Sequence, residues 1–204
     1  MPLYSSINRM YLLISKQVRD FSEVLTGDNL EILDDSSDRE NEVDALRLLL
    51  ERQVGQILES ASIEDSLGTS RWEASELCKL VRTLERMGDH SYALCDLAQN
   101  HAIPESLNLS SMPVSLIPIW QQSMKLLVSN IKKRDISEVH IAKSNLILAQ
   151  KELIQYEEKL RASDIAIKDA LFLDRVSESL RRICAYSINI CLLYTSDAAD
   201  ELCR

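Results

Sequence analysis

LERMGDHSYAL at residues 84–94 and LRRICAYSINI at residues 180–190 decide the fold, because they read as two copies of one helical pattern. Leu84 and Leu180, Arg86 and Arg182, and Ser91 and Ser187 are identical at a constant spacing of 96 residues. Met87 aligns with Ile183 and Leu94 with Ile190, so apolar positions match apolar positions. Within each copy the apolar residues recur every three or four residues, which marks a helix with one buried face. Self-similarity at one long period points to a duplicated unit.

The same periodicity extends outward in both directions. The first helix carries Leu3, Ile7, Met10, Ile14, Val18, Phe21 and Leu25, and stops at Thr26-Gly27-Asp28. Gly27 stands where a helix C-cap favours it. A second helix is expected from about Asn29 to Ala61, with the very polar stretch Asp34 to Glu42 inside it. Asp65 to Ser70 reads as a loop ending in an N-cap, and a third helix follows from Arg71 to His101. Ala102 to Pro113, with two prolines and several serines, reads as a linker.

After the linker the pattern restarts. A fourth helix runs into Lys132-Lys133-Arg134, where cations complement the helix dipole. Asp135 opens a fifth helix, and Ser163 is the expected cap of a sixth. The expectation is an all-α fold of two tandem three-helix bundles with six long helices. The repeats span 1–101 and 114–192 and flank a linker at 102–113. Tyr194-Thr-Ser-Asp-Ala-Ala-Asp-Glu201 breaks the apolar period, so 193–204 is read as a candidate non-native tail.

Composition narrows the function classes. Four Gly, four Pro and 5% aromatic residues argue against a β-sandwich. A formal net charge of −9 repels a phosphate backbone, so no nucleic-acid partner is expected. No basic stretch followed by an apolar run opens the chain, and no segment reaches the ~18 apolar residues of a membrane span. Neither a signal peptide nor direct membrane insertion is therefore expected. Cys78, Cys95, Cys184, Cys191 and Cys203 are odd in number and form no Cys-x-x-Cys pair, which fits a reducing, cytoplasmic compartment.

The acidic residues supply the candidate site. Glu85 and Asp89 stand one helical turn apart, and Glu40 and Asp44 repeat that spacing on the second helix. Antiparallel neighbours would bring the four carboxylates onto facing surfaces. Such a cluster is costly without a cation, and oxygen-only ligands suit Mg²⁺, Mn²⁺, Ca²⁺ or iron. His90 could add a nitrogen ligand, although it points about 100° away around the helix. The plainer reading is a solvated face neutralised by Arg39, Arg82 and Arg86. Trp72 and Trp120 are expected to pack at helix starts. In the second copy Arg181 replaces Glu85 and Ala185 replaces Asp89, so any carboxylate chemistry belongs to the first half.

Arg82-Thr-Leu-Glu-Arg-Met-Gly-Asp-His-Ser-Tyr-Ala-Leu94 resembles the third-helix signature of the PhoU family, with its E-R-[IM]-G-D-H core. Arg39-Glu-Asn-Glu-Val-Asp-Ala-Leu46, continuing to Glu51-Arg52-Gln53, resembles that family's second helix, and residues 180–189 its second repeat. The resemblance implies two pseudo-repeated bundles that commonly form a homodimer. It implies a regulator without catalytic residues, which dampens phosphate uptake and transmits phosphate status. The implied partners are the ATPase of the phosphate ABC transporter and a phosphate-sensing histidine kinase. The family's E(D)xxxD motifs imply metal ligands at Glu40, Asp44, Glu85 and Asp89, for iron, manganese, zinc or magnesium. Two alternatives stand beside this reading. One is a carboxylate-bridged metalloenzyme, disfavoured because no Glu-x-x-His occurs; the other is a metal-free helical scaffold.

Overall fold

The computed structural model describes residues 3–27 and 29–201, with side chains described as far as Leu193. Three helices form the first bundle: α1 (Leu3–Val24), α2 (Ser36–Glu59) and α4 (Arg71–Asn100). A short α3 (Ala61–Leu67) connects α2 to α4. The second bundle is α5 (Ile117–Lys133), α6 (Ile136–Arg161) and α7 (Ile167–Glu201). No strand occurs among the described residues, and no helix there is long and apolar enough to cross a membrane.

Each long helix buries one stripe. On α1 it is Ile7, Met10, Ile14, Val18 and Phe21; on α6 it is Val139, Ala142, Leu146, Ala149 and Leu153. The stripes merge into one continuous core because α4 packs against α7 across the two bundles. His90 stacks on Tyr186 with ring centroids 5.9 Å apart, and these residues occupy the same position in the two copies. The Ser187 hydroxyl lies 3.4 Å from Met87 Sδ in the same seam. Ser91 and Ser187, identical in the alignment, are both fully buried. Ser91 donates to Gln17 Oε1 at 2.5 Å, and Ser187 accepts from Trp120 Nε1 at 3.0 Å. The repeated sequence thus forms the centre of the molecule.

Several helix ends follow the local chemistry. Gly27 takes φ +97° and its N–H bonds the Val24 carbonyl, ending α1. Ser70 Oγ accepts the Glu73 N–H to cap α4, and Asp135 accepts the N–H groups of Ser137 and Glu138 to cap α6. Arg134 follows the basic end of α5 in the left-handed region at φ +53°. Asp28 lies outside the described residues.

Four expectations need correction. The second helix begins at Ser36, because Asn29 accepts the Glu31 N–H and starts a separate 3-10 turn over Leu30–Leu33. The residues after it are not all loop. Ser60 turns extended at φ −135°, then α3 forms and ends at Gly68, φ +60°. Ser163 does not cap the last helix; its hydroxyl donates back to the Leu160 carbonyl at 2.6 Å and closes α6. The Ala166 carbonyl accepts the first bond of α7 instead. Trp120 is buried as expected, but Trp72 is 60% exposed, with Lys79 Nζ 6.0 Å from its ring centroid. For the tail at 193–204, the α7 backbone runs to Glu201; side chains beyond Leu193, and residues 202–204 with Cys203, lie outside the described residues.

Candidate functional site

Gly88 lets α2 and α4 approach closely. A Cβ built there would sit 3.1 Å from Val43 Cγ1. Beside this contact, α4 presents Glu85 one turn before Gly88 and Asp89 directly after it, and α2 presents Glu40 one turn before Val43 and Asp44 directly after it. All four carboxylates gather on this one face. Glu40, Asp44 and Glu85 are half-buried and Asp89 is exposed.

Their protonation equilibria register the crowding. Partial burial, then the charges of Asp44 and Asp89, push the Glu40 carboxyl above its ordinary range. Desolvation and the Asp89 charge push Glu85 up, with Arg47 opposing. Desolvation and the Asp44 charge push Asp89 up. Burial and the nearby Arg182 push His90 down, which favours its neutral ring against Tyr186.

The cation serving this cluster is Arg47, which sequence reading overlooked. Its Nε lies 3.5 Å from Glu85 Oε1 and 3.9 Å from Asp44 Oδ1, and its Nη1 donates to Glu51 Oε2 at 3.2 Å. Nε is buried and makes no hydrogen bond. The signal was present, since Glu40, Asp44, Arg47 and Glu51 form one stripe at three- and four-residue spacing. The arginines named from sequence serve elsewhere: Arg82 pairs with Glu51 at 2.7 Å, and Arg39 with Asp20 at 2.8 Å and with Asp35. Arg86 contributes only a longer-range charge.

The second bundle reverses this polarity. Arg181, in the place of Glu85, donates from Nε to Glu157 Oε1 on α6 at 2.9 Å. Ser177 also donates to Glu157, which is almost wholly buried. The first bundle sets an acid on α4 against a cation on α2; the second sets a cation on α7 against an acid on α6. Loss of the acids there installs an ion pair in the wall of the second bundle.

The family model for the PhoU domain matches residues 7–98, which hold most of α1, all of α2, most of α4 and all four carboxylates. This chain carries a PhoU domain. Over those residues the chain is similar to the PhoU family, a regulatory family concerned with phosphate uptake. A search of curated proteins finds no match. The donor set of this PhoU domain is all oxygen, which fits a hard cation in chemical type. As the side chains stand, no three His, Cys, Asp or Glu among the described residues converge closely enough to hold one. The Arg47 guanidinium lies against two of the four acids, Glu85 and Asp44. Burial pushes the thiols of Cys95 and Cys184 up to about 12, which keeps them protonated and unreactive; Cys95 Sγ donates to the Gln17 carbonyl at 3.4 Å.

Proposed function

We propose that this protein is a non-enzymatic, cytoplasmic regulator that restrains phosphate uptake and relays phosphate status by protein–protein contact. The observation that carries this is the gathering of Glu40, Asp44, Glu85 and Asp89 on one face of a PhoU domain. A dense acidic face steers and orients a basic partner. The resemblance to the PhoU family supplies the candidates: the phosphate-transporter ATPase and the phosphate-sensing histidine kinase. It also suggests that the chain acts as a homodimer.

A metal would act on the same face. Iron, manganese, zinc or magnesium held by Glu40, Asp44, Glu85 and Asp89 would relieve their mutual repulsion and release Arg47 towards Glu51. Metal binding would then change the charge the partner meets. Redox or hydrolytic turnover is not part of this reading, since neither α2 nor α4 carries a Glu-x-x-His motif beside the acids.

Two measurements test this. Purified transporter ATPase should be retained by the wild-type chain and lost with the Glu85→Gln/Asp89→Asn variant; no retention at any phosphate level would sink the partner assignment. Mn²⁺ at about 100 times its Kd should stabilise the wild type by roughly 2.7 kcal/mol and leave that variant unchanged. An equal shift in both proteins would remove the metal from this face.

A further inference from the structure

The two bundles meet along a second line, between α1 and α5, where the helices scarcely touch. A cavity of about 680 Å³ there is lined by Arg9, Leu12, Lys16 and Arg19 of α1 and by Pro118 and Lys125 of α5, among others. A smaller one of about 270 Å³ continues the line between Tyr4 and Lys132. Early α1 lies beside late α5, so the two clefts form one groove between antiparallel helices. From Tyr4 to Arg19 it extends ~22 Å at 1.5 Å per residue.

Its chemistry is opposite to that of the molecule. No carboxylate lines either cleft. Met1 to Arg19 and Ser106 to Arg134 contain no Asp or Glu at all, in a chain that has 32. Arg9, Leu12, Lys16 and Arg19 follow one another at intervals of three or four, so they form one stripe facing the groove. Arg9 meets Glu42 at 2.7 Å, Lys16 meets Asp20 at 2.7 Å and Arg19 meets Glu23 at 3.6 Å. Arg9–Glu42 and Arg19–Glu23 are exposed on both sides, and solvent-exposed pairs are worth at most about 1 kcal/mol, so these two cations can turn to incoming carboxylates. Lys16 is itself half-exposed, and buried Asp20 keeps Arg39 at 2.8 Å when Lys16 turns away. Lys125 is exposed and makes no ion pair among the described residues. Leu12, half exposed at the centre of the stripe, and Pro118 give the groove an apolar strip between its cations.

A single small anion cannot reach cations spread over ten residues of α1, about 15 Å. A purely polar polyanion would leave the apolar strip unused. An extended groove, apolar along the middle and cationic at its sides, fits a helix with an apolar stripe and acidic flanks. We propose that the α1–α5 seam docks an acidic amphipathic helix of a partner protein. Its carboxylates meet Arg9, Lys16, Arg19 and Lys125, and its apolar stripe lies on Leu12. This surface is separate from the acidic α2–α4 face and needs neither a metal nor the function proposed above.

The test uses the full chain and a fluorescein-labelled peptide of about 15 residues, spanning the ~22 Å groove, with Leu at helical spacing and Glu elsewhere. The same peptide with Lys in place of Glu is the control, and fluorescence anisotropy is the readout. The acidic peptide should bind 1:1 and the lysine peptide should not. Gln122→Glu/Lys125→Glu, both exposed on α5, should weaken the acidic peptide about tenfold or more, with the helical circular-dichroism spectrum unchanged. Glu85→Gln/Asp89→Asn should leave binding untouched, which separates this groove from the acidic face. Equal binding of both peptides would overturn the proposal, as would indifference to the α5 substitutions. Tripolyphosphate binding at Lys125 with no peptide binding would also overturn it and mark a small-polyanion site.

Discussion

Asp89 is a carboxylate held where ionisation is disfavoured, by desolvation first and by the Asp44 charge second. Its folded pKa lies above its unfolded one, so its stabilising contribution is present at low pH and lost as pH rises through the folded value. In chelator at pH 7, Asp89→Asn should therefore melt about 1–2 °C higher than the wild type. That gain should vanish as the pH is lowered below the unfolded pKa of about 4, measured as a Tm difference across the series. Gly88 presents the opposite case, where space rather than charge decides. Alanine there gains helix propensity but presses on Val43 Cγ1, so the two effects nearly cancel. Valine has nowhere to go, and Gly88→Val should destabilise by about 1–3 kcal/mol in urea titration.

At the scale of elements, the helices depend on their ends and on the ion pairs between them. Asp135 Oδ1 accepts two backbone N–H groups at the start of α6, so Asp135→Ala should cost about 1 kcal/mol. The Glu157–Arg181 pair joins α6 to α7 in a nearly dry setting. Removing only the cation leaves a buried carboxylate with Ser177 and a distant Arg161 at 3.8 Å. Arg181→Ala should thus cost about 3 kcal/mol, well beyond the loss of a surface pair. Replacing both residues with apolar side chains should recover most of that loss, and urea melts of the single and double variants decide the matter.

Across the whole molecule, α4 and α7 make the two bundles one cooperative unit. Met87, Leu94 and Ser91 on α4 and Ile183, Ser187 and Ile190 on α7 are almost wholly buried. The intact chain should unfold in a single calorimetric transition. Residues 1–101 alone would expose the α4 side of that seam, an apolar patch that small soluble proteins rarely leave uncovered. Sedimentation should show this fragment self-associating. A monomeric fragment with a sharp melt of its own would mean that the bundles are independent.

Sequence alone determined the helical class, the duplicated third helix and the ends marked by Gly27, Ser70 and Asp135. These are local matters, because periodicity and capping act within a few residues of chain. The spacing of Glu40, Asp44, Glu85 and Asp89 also named the acidic face, since one turn of helix fixes which side chains share a surface. Helical spacing already puts Arg47 beside Asp44 and Glu51; tertiary structure alone decided that it also reaches Glu85 on α4, while Arg39 and Arg82 pair elsewhere. It also decided that Arg181 finds Glu157, and that cations a hundred residues apart line one groove between α1 and α5. Ion pairing and groove formation depend on which helices become neighbours and at what rotation. That is set by the burial of apolar stripes throughout the core, which no single segment encodes.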